Sequence, residues 1–171
     1  ERITDFSVEG DELWAVGNSC VICINLRNGE RRIWQNSEAK NYFTYGFLMT
    51  VEYQDSTLVI GNNSAGFEVF KLQDGELQRK HRYYRDLSGR RIRVTDTERR
   101  GDKVYLASNQ GLLIYDTKEE ELRQIDKHDG LLVQNLGKTW ASNLEVFDGG
   151  EVVLSGHGFF TVLQEAAFSS E

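Results

Sequence analysis

The chain has 171 residues, of which 39% are hydrophobic, so it is long enough for one domain whose core needs no disulfide or metal. Its net charge of −7 argues against general binding to nucleic acid. The longest apolar run is far shorter than the roughly 20 residues that a membrane helix requires. We therefore expect a single unit over residues 1–171, attached to a membrane only through a segment outside this chain.

A short apolar sequence motif, which we call the apolar phrase, recurs four times along the chain. Its copies begin at Leu13, Leu58, Val104 and Val152, at intervals of 45, 46 and 48 positions. A fixed period in the forties, built from short strands, is the size of one blade of a β-propeller. The period is therefore the strongest indication of fold in this sequence.

Each copy repeats one plan of strands and turns. An alternating segment leads through a polar turn into the apolar phrase, and a third and a fourth strand follow. In copies two to four a glycine opens the third strand, as suits a turn that needs positive φ. The predicted blades cover residues 3–36, 45–80, 91–125 and 143–164, and the last copy lacks its fourth strand.

The sequence thus predicts an all-β propeller with three complete four-stranded blades and most of a fourth. Closed propellers usually carry four to eight blades, so either the ring closes with four blades or this chain belongs to a larger ring. Because the fourth copy is incomplete, we expect a segment of a larger ring. A β-sandwich is the alternative for many short strands, but it does not account for the repeat.

The residues with catalytic or metal-binding potential are isolated from one another. Cys20 and Cys23 flank a strand-like pair and point to opposite faces, so we interpret them as strand residues. His128 and His157 have no partners at ligand spacing. With no nucleophile motif, phosphate loop or paired carboxylates either, the sequence predicts no enzyme, no metal and no cofactor.

A basic segment lies between the second and third apolar phrases. The range 79–103 holds ten of the chain's twenty Lys and Arg residues, interleaved with aromatic residues. Guanidinium groups bind carboxylate, sulfate or phosphate, and aromatic rings stack on sugars. The alternative is a solvated loop that balances the acidic remainder of the chain. The candidate ligand-binding residues here are Arg82, Tyr83, Tyr84, Arg85, Arg90 and Arg91.

The connectors between blades carry further candidates. Lys138 and Trp140 lie in the connector that precedes the fourth blade, and Tyr42, Phe43 and Tyr45 lie in the one that precedes the second. Such connectors end on one face of the disc, where loops on a rigid scaffold commonly contact ligands. The alternative is that these rings fill the packing between blades.

Three segments resemble a known repeat family. The stretch from Leu106 to Asp116, the Asp-Gly-Leu connector at 129–131 and the strand from Leu13 to Gly17 resemble two-component regulator propeller repeats. WD repeats and quinoprotein-like repeats match less of the chain. The resemblance implies the extracytoplasmic sensor of a Bacteroides-type hybrid two-component system, in which large, usually seven-bladed rings recognise breakdown products of polysaccharides.

This resemblance implies a ligand-sensing role without catalysis. The ligand would be an oligosaccharide or other small molecule, the location the periplasm, and any histidine kinase activity would lie outside this chain. The expected protein partners are other propeller blades or a second copy of the chain. The alternative function is a scaffold for protein–protein interaction, which would also suit the cytoplasm.

Overall fold

The structure is a computed structural model that describes residues 2–18, 20–125, 141–156 and 159–165. Within these ranges the chain forms fifteen β-strands. The strands are β1 (Ile3–Glu9), β2 (Glu12–Gly17), β3 (Cys20–Asn25), β4 (Arg31–Gln35), β5 (Leu48–Gln54), β6 (Thr57–Asn62), β7 (Gly66–Gln73), β8 (Glu76–Tyr83), β9 (Val94–Arg100), β10 (Lys103–Ser108), β11 (Gly111–Asp116), β12 (Glu121–Ile125), β13 (Ala141–Val146), β14 (Glu151–Gly156) and β15 (Phe159–Gln164).

The strands form four antiparallel sheets in strict chain order. Blade 1 is β1–β4, blade 2 is β5–β8, blade 3 is β9–β12 and blade 4 is β13–β15. The predicted all-β propeller, with three four-stranded blades and a three-stranded fourth, is thereby confirmed. None of the described residues belongs to a helix long and apolar enough to cross a membrane.

A glycine opens the third strand of blades 2 and 3, as the sequence predicts. Gly66 has φ +77° and Gly111 has φ +105°, both in the left-handed region that favours glycine. At Gly66 the space is also restricted, since a Cβ would lie 1.8 Å from the carbonyl oxygen of Tyr83. The glycine therefore allows the end of β8 to pass close to the start of β7.

Three apolar clusters join the blades face to face. Between blades 1 and 2, the ring of Trp14 stacks on Tyr53 at 4.2 Å and on Trp34 at 5.4 Å. Between blades 2 and 3, Phe67 packs against Tyr115 with ring centroids 5.8 Å apart. The third cluster joins blades 3 and 4 through aliphatic side chains and one tyrosine. Each blade thus buries its apolar face against a neighbour, as repeat units must.

Side chains of two inner strands bind the backbone of the next blade. Asp5 of β1 accepts a hydrogen bond from the backbone N–H of Val51 at 2.9 Å, and the Oγ1 of Thr4 donates to the carbonyl of Leu48 at 2.8 Å. We call this pair of bonds the Thr-Asp interlock. Each bond of this kind contributes about 1 kcal/mol, and together they fix the position of blade 2 on blade 1.

The interlock recurs between blades 3 and 4 and is missing between blades 2 and 3. Asp96 accepts from the N–H of Leu144 at 2.7 Å, and Thr95 donates to the carbonyl of Ala141. At the equivalent place in blade 2 stands Thr50, whose Oγ1 is buried without a hydrogen-bond partner among the described residues. The arc therefore consists of two interlocked pairs of blades joined by the aromatic cluster.

The basic segment is divided between strands and a connector. β8 extends to Tyr83, past the blade boundary predicted at residue 80, and β9 begins at Val94. Of this segment, residues 84–93 form the loop between blades, and the role of its charges stays a prediction. In blade 1, Cys20 and Cys23 are buried strand residues, as predicted.

Candidate ligand-binding face

The connector of residues 84–93, which joins blade 2 to blade 3, lies against the β10–β11 turn. The carbonyl of Arg91 accepts hydrogen bonds at 3.2 Å from the side-chain amides of both Asn109 and Gln110. On its other side, the N–H of Leu87 donates to Gln124 of β12 at 3.4 Å. We call these residues connector 84–93. Their hydrogen bonds to Asn109, Gln110 and Gln124 hold them on the side of blade 3 where the β10–β11 turn lies.

A buried carboxylate organises connector 84–93. The side chain of Asp86 is fully buried and accepts hydrogen bonds from the backbone N–H groups of Ser88 at 3.0 Å and Arg90 at 2.7 Å. The guanidinium of Arg90 donates to the same carboxylate at 2.7–2.8 Å. Arg90 thus helps to hold the connector in shape. Because the charge of its guanidinium is neutralised by Asp86, that charge is not free to bind a ligand.

Two guanidinium groups lie against the exposed ring of Tyr84 at the start of this connector. The ring of Tyr84 is 48% exposed, with the guanidinium carbon of Arg82 at 5.1 Å from its centroid and that of Arg85 at 5.6 Å. Cation–π contact orients both charges without neutralising them. The Nη1 of Arg85 also donates to the carbonyl of Gly89 at 2.5 Å, which fixes the direction of its remaining donors.

Like charges face each other across the base of connector 84–93. Arg85 and Arg91 form an antiparallel β-bridge, and both side chains are exposed. Neither forms an ion pair within the described part of the chain. Like charges directly opposite one another on paired strands are destabilising, and a bound anion would relieve that repulsion.

The other candidates from the sequence lie in different settings. Tyr83 is half-buried, and its ring stacks on Phe67 at 4.7 Å and contacts Tyr115 at 5.6 Å, so it contributes to the packing of blades 2 and 3. Lys138 and Trp140 lie outside the described residues. The ligand-binding roles of all three stay predictions.

The connector of residues 36–47 divides its aromatic residues between core and surface. Phe43 is buried in the cluster between blades 1 and 2, whereas Tyr45 is 93% exposed. A buried carboxylate again supports the loop, because Glu68 accepts from the N–H of Thr44 at 2.9 Å and from Arg79 at 2.6 Å. The packing alternative is thus confirmed for Phe43, and ligand contact at Tyr45 stays a prediction.

The inner strands bring carboxylates together, a feature that sequence reasoning missed. Burial, with the charges of Glu98 and Asp5 nearby, raises the pKa of Glu52 to about 8. Burial, with the charges of Glu145 and Asp96, raises the pKa of Glu98 to about 7. The strand registers place Glu52, Glu98 and Glu145 at equivalent positions of blades 2, 3 and 4, a column that appears only after the strands are aligned.

These carboxylates do not make a metal site. Among the described residues, no group of three His, Cys, Asp or Glu side chains is arranged to hold a metal ion. The raised pKa values instead indicate carboxylates that are partly protonated near neutral pH, because desolvation and mutual repulsion disfavour their charged forms.

Comparison with known proteins identifies the fold. No family model matches the chain, and no curated protein matches it significantly. Its structure is similar to the extracellular domain of BT4673 from B. thetaiotaomicron, which is assigned to a hybrid two-component system, with a TM-score of 0.67 and 17% identity. It is similar as well to the corresponding domain of BT3049 from the same organism, with a TM-score of 0.66 and 12% identity.

A third similar structure comes from a different class of protein. The β-propeller domain of Cps50 (Swd1) from Myceliophteria thermophila matches with a TM-score of 0.66 and 14% identity. The matches cover 96% of this chain and 21% of the BT4673 domain, 95% and 20% for BT3049, and 90% and 49% for Cps50. The chain thus spans about a fifth of either sensor domain, and at these identities the likeness shows the propeller fold alone.

Proposed function

We propose that this chain is part of a ligand-sensing propeller of a bacterial two-component sensor, and that connector 84–93 contributes to recognition of an anionic oligosaccharide. The observation that carries the proposal is the exposed Tyr84 ring flanked by the guanidinium groups of Arg82 and Arg85. Aromatic rings stack on the apolar faces of sugars, and guanidinium forks bind carboxylate or sulfate. The similarity of the fold to extracellular sensor domains supports the same role.

The rigid support of the connector favours binding over a merely solvated loop. Asp86 fixes the loop from within, and Asn109 and Gln110 hold it to the neighbouring blade. A loop ordered before the ligand arrives loses less conformational entropy on binding. In this proposal the ligand changes the relative placement of two sensor chains in the periplasm, and a histidine kinase outside this chain responds.

Isothermal titration calorimetry tests the binding step. We expect an oligosaccharide of uronic acids to bind at least about tenfold more tightly than a neutral oligosaccharide of equal length, because charge-assisted hydrogen bonds contribute about 1.5–3 kcal/mol. Tyr84→Ala and Arg85→Ala should each weaken binding by about tenfold. Arg27→Ala, on the β3–β4 turn 2.6 Å from Asp11, is the matched control and should change nothing.

Two results would contradict this proposal. One is the absence of binding to a panel of charged and neutral oligosaccharides. The other is binding that is equally strong in the two connector variants and in the control, which would place the ligand elsewhere.

A second candidate function is a scaffold that binds another protein. The observation that favours it is the exposure of large apolar side chains on the connectors, with Leu87 at 76% and Tyr45 at 93%. Exposed apolar groups rimmed by charge are common in protein interfaces. Binding of an acidic peptide that is lost in Leu87→Ser, together with no binding of any sugar, would select this alternative.

A further inference from the structure

The face of blade 1 that points away from blade 2 exposes apolar side chains, and one of them, Phe6, stands at a position that the other blades bury. The register aligns Phe6, Ala15, Ile22 and Ile33 in one row across β1–β4, on the face that points away from blade 2. Phe6 is 61% exposed and Ile33 is 59% exposed. We call this surface the leading face.

The positions equivalent to Phe6 and Ala15 are buried in the following blades, whereas the equivalents of Ile33 are the exposed Arg82 and the half-buried Gln124. Val51 and Ile60 of blade 2 correspond to Phe6 and Ala15, and both lie in the cluster between blades 1 and 2. Leu144 and Leu154 of blade 4 lie likewise in the cluster between blades 3 and 4. The leading face therefore has the composition of a surface that packs against a preceding blade.

Blade 4 exposes the face that points away from blade 3. Phe160 and Val162 of β15 are 69% and 53% exposed, and their partners Ser155 and Val153 on β14 share that side. The position equivalent to Val153 in blade 1 is Trp14, which is fully buried against blade 2. We call this surface the trailing face, since it has the place of a surface that packs against a following blade.

Blade 4 also has polar residues at the two positions that form the interlock in blades 1 and 3. Ser142 and Asn143 occupy the positions of Thr4–Asp5 and Thr95–Asp96 in the inner-strand register, and both are exposed. A hydroxyl and a side-chain carbonyl can make the same two hydrogen bonds as threonine and aspartate. By the same register, their matching groups on a following blade 1 are the carbonyl of Ile3 and the backbone N–H of Phe6.

We propose that the leading and trailing faces are docking surfaces for a second copy of this chain, packed head to tail so that blade 4 of each copy meets blade 1 of the other. The two faces differ, so the contact is heterologous, and two such contacts close a ring of eight blades. This inference concerns assembly and does not depend on the proposed ligand.

The size of the faces favours the closed pair. A sheet of three to four strands, about 4.8 Å apart and six residues long at about 3.3 Å per residue, has a face of about 300–400 Å². One contact would bury about 700 Å² in total, which is below the range of stable interfaces. Two contacts bury about 1,400 Å², which lies within that range, so the closed pair is the species that we expect.

Sedimentation of the intact chain and of two variants tests the proposal. The leading variant carries Phe6→Glu and Ile33→Glu, and the trailing variant carries Phe160→Glu and Val162→Glu. All four side chains are exposed, so circular dichroism should show unchanged strand content. We expect the unmodified chain to be a dimer at tens of micromolar, and each variant alone to be a monomer.

The decisive experiment mixes the two variants. In a heterologous pair, the mixture regains one intact contact, between the trailing face of the leading variant and the leading face of the trailing variant. We expect a mixed dimer whose dissociation constant is at least about 100-fold higher than that of the unmodified chain, because one of two contacts is lost. Asn143→Ala in the unmodified chain should raise the dissociation constant about fivefold per contact, as the loss of one hydrogen bond implies.

Three outcomes would overturn the inference. A monomeric unmodified chain would show that a second copy is not the occupant of these faces. Variants that remain dimeric alone would place the contact elsewhere. Variants that form no mixed dimer, even at several hundred times the concentration that dimerises the unmodified chain, would show that the two faces do not pair.

Discussion

Replacement of Glu52 by glutamine tests whether the inner-strand carboxylates oppose folding when they are charged. Glu52 has its pKa raised to about 8, mainly by burial and next by the charges of Glu98 and Asp5. A carboxyl whose pKa is higher in the folded than in the unfolded chain binds more protons when folded. Its contribution to stability is therefore complete below about pH 4.5 and is lost as the pH rises through about 8.

The magnitude follows from the size of the pKa shift. From the usual 4.5 to about 8 the shift corresponds to at most about 5 kcal/mol, at 1.36 kcal/mol per pKa unit. The carboxylate remains partly accessible, and the hydroxyl of Ser7 donates to it at 3.3 Å. We therefore expect Glu52→Gln to raise the free energy of unfolding by about 2–3 kcal/mol at pH 9, and by much less at pH 5.

Urea denaturation at fixed protein concentration, followed by tryptophan fluorescence from pH 5 to pH 9, measures this effect. Trp14 and Trp34 are buried in the core and report its unfolding. The matched control is Glu38→Gln in the exposed connector 36–47, which should leave the pH dependence unchanged. If Glu52→Gln and the unmodified chain lose stability equally between pH 5 and pH 9, the carboxylate does not oppose folding and the reasoning is wrong.

Three further substitutions test the packing of the blades and the connector. Gly66→Ala should lower the free energy of unfolding by at least about 3 kcal/mol, because a Cβ would overlap the carbonyl oxygen of Tyr83. Gly75→Ala is the control: its φ is +79° as well, but no atom lies within 4 Å of the added Cβ, so the loss should be only about 1 kcal/mol. Asp96→Ala removes one of the two bonds of an interlock and should lower the free energy of unfolding in denaturant by about 1–3 kcal/mol, whereas Asp102→Ala at an exposed site should not change it. Asp86→Ala should speed tryptic cleavage of connector 84–93 by about tenfold or more, as seen by mass spectrometry, since the loop loses its internal acceptor.

Each of these expectations has a plain contrary result. Equal losses of stability in the two glycine variants would show that the close approach to β8 carries no cost. An interlock variant as stable as its control, or a connector cleaved at an unchanged rate, would remove the structural roles assigned to those two aspartates.

The repeat of apolar phrases was sufficient to predict the propeller because it encodes both local and long-range order. Alternation within each copy specifies a strand with one buried side, and polar turns between the runs specify hairpins. The common period then requires that successive sheets pack alike. For this reason the strands that start at Glu12, Thr57, Lys103 and Glu151 were predicted to within one or two residues.

The interlocks and the carboxylate column could not be predicted in the same way. Thr4–Asp5 and Thr95–Asp96 look like ordinary polar residues of an alternating strand, and only the register shows that they reach the next blade. The similarity of the sequences at 3–6 and 94–97 was the available signal. Glu52 and Glu98 become neighbours only when separate blades are arranged around one axis.

The connectors were predicted least well because irregular loops have no periodicity that assigns a side chain to one face. Phe43 and Tyr45 are two positions apart, yet the first is buried and the second is almost fully exposed. Arg90 and Arg91 are adjacent, yet only Arg90 is bound to a buried carboxylate. In such segments the function of a side chain depends on which buried group holds the loop, and this is not visible in the sequence.

The alternation of the Thr-Asp interlock determines where this architecture can grow. Thr95 follows Thr4 by 91 positions (95 minus 4), so the interlock repeats every two blades although the apolar phrase repeats in every blade. A whole blade inserted between blades 2 and 3 would leave both interlocks intact, whereas one inserted after blade 1 or blade 3 would separate a donor from its acceptor. In evolutionary terms, the boundary between blades 2 and 3 is the point at which the repeat number can change without the loss of an interlock.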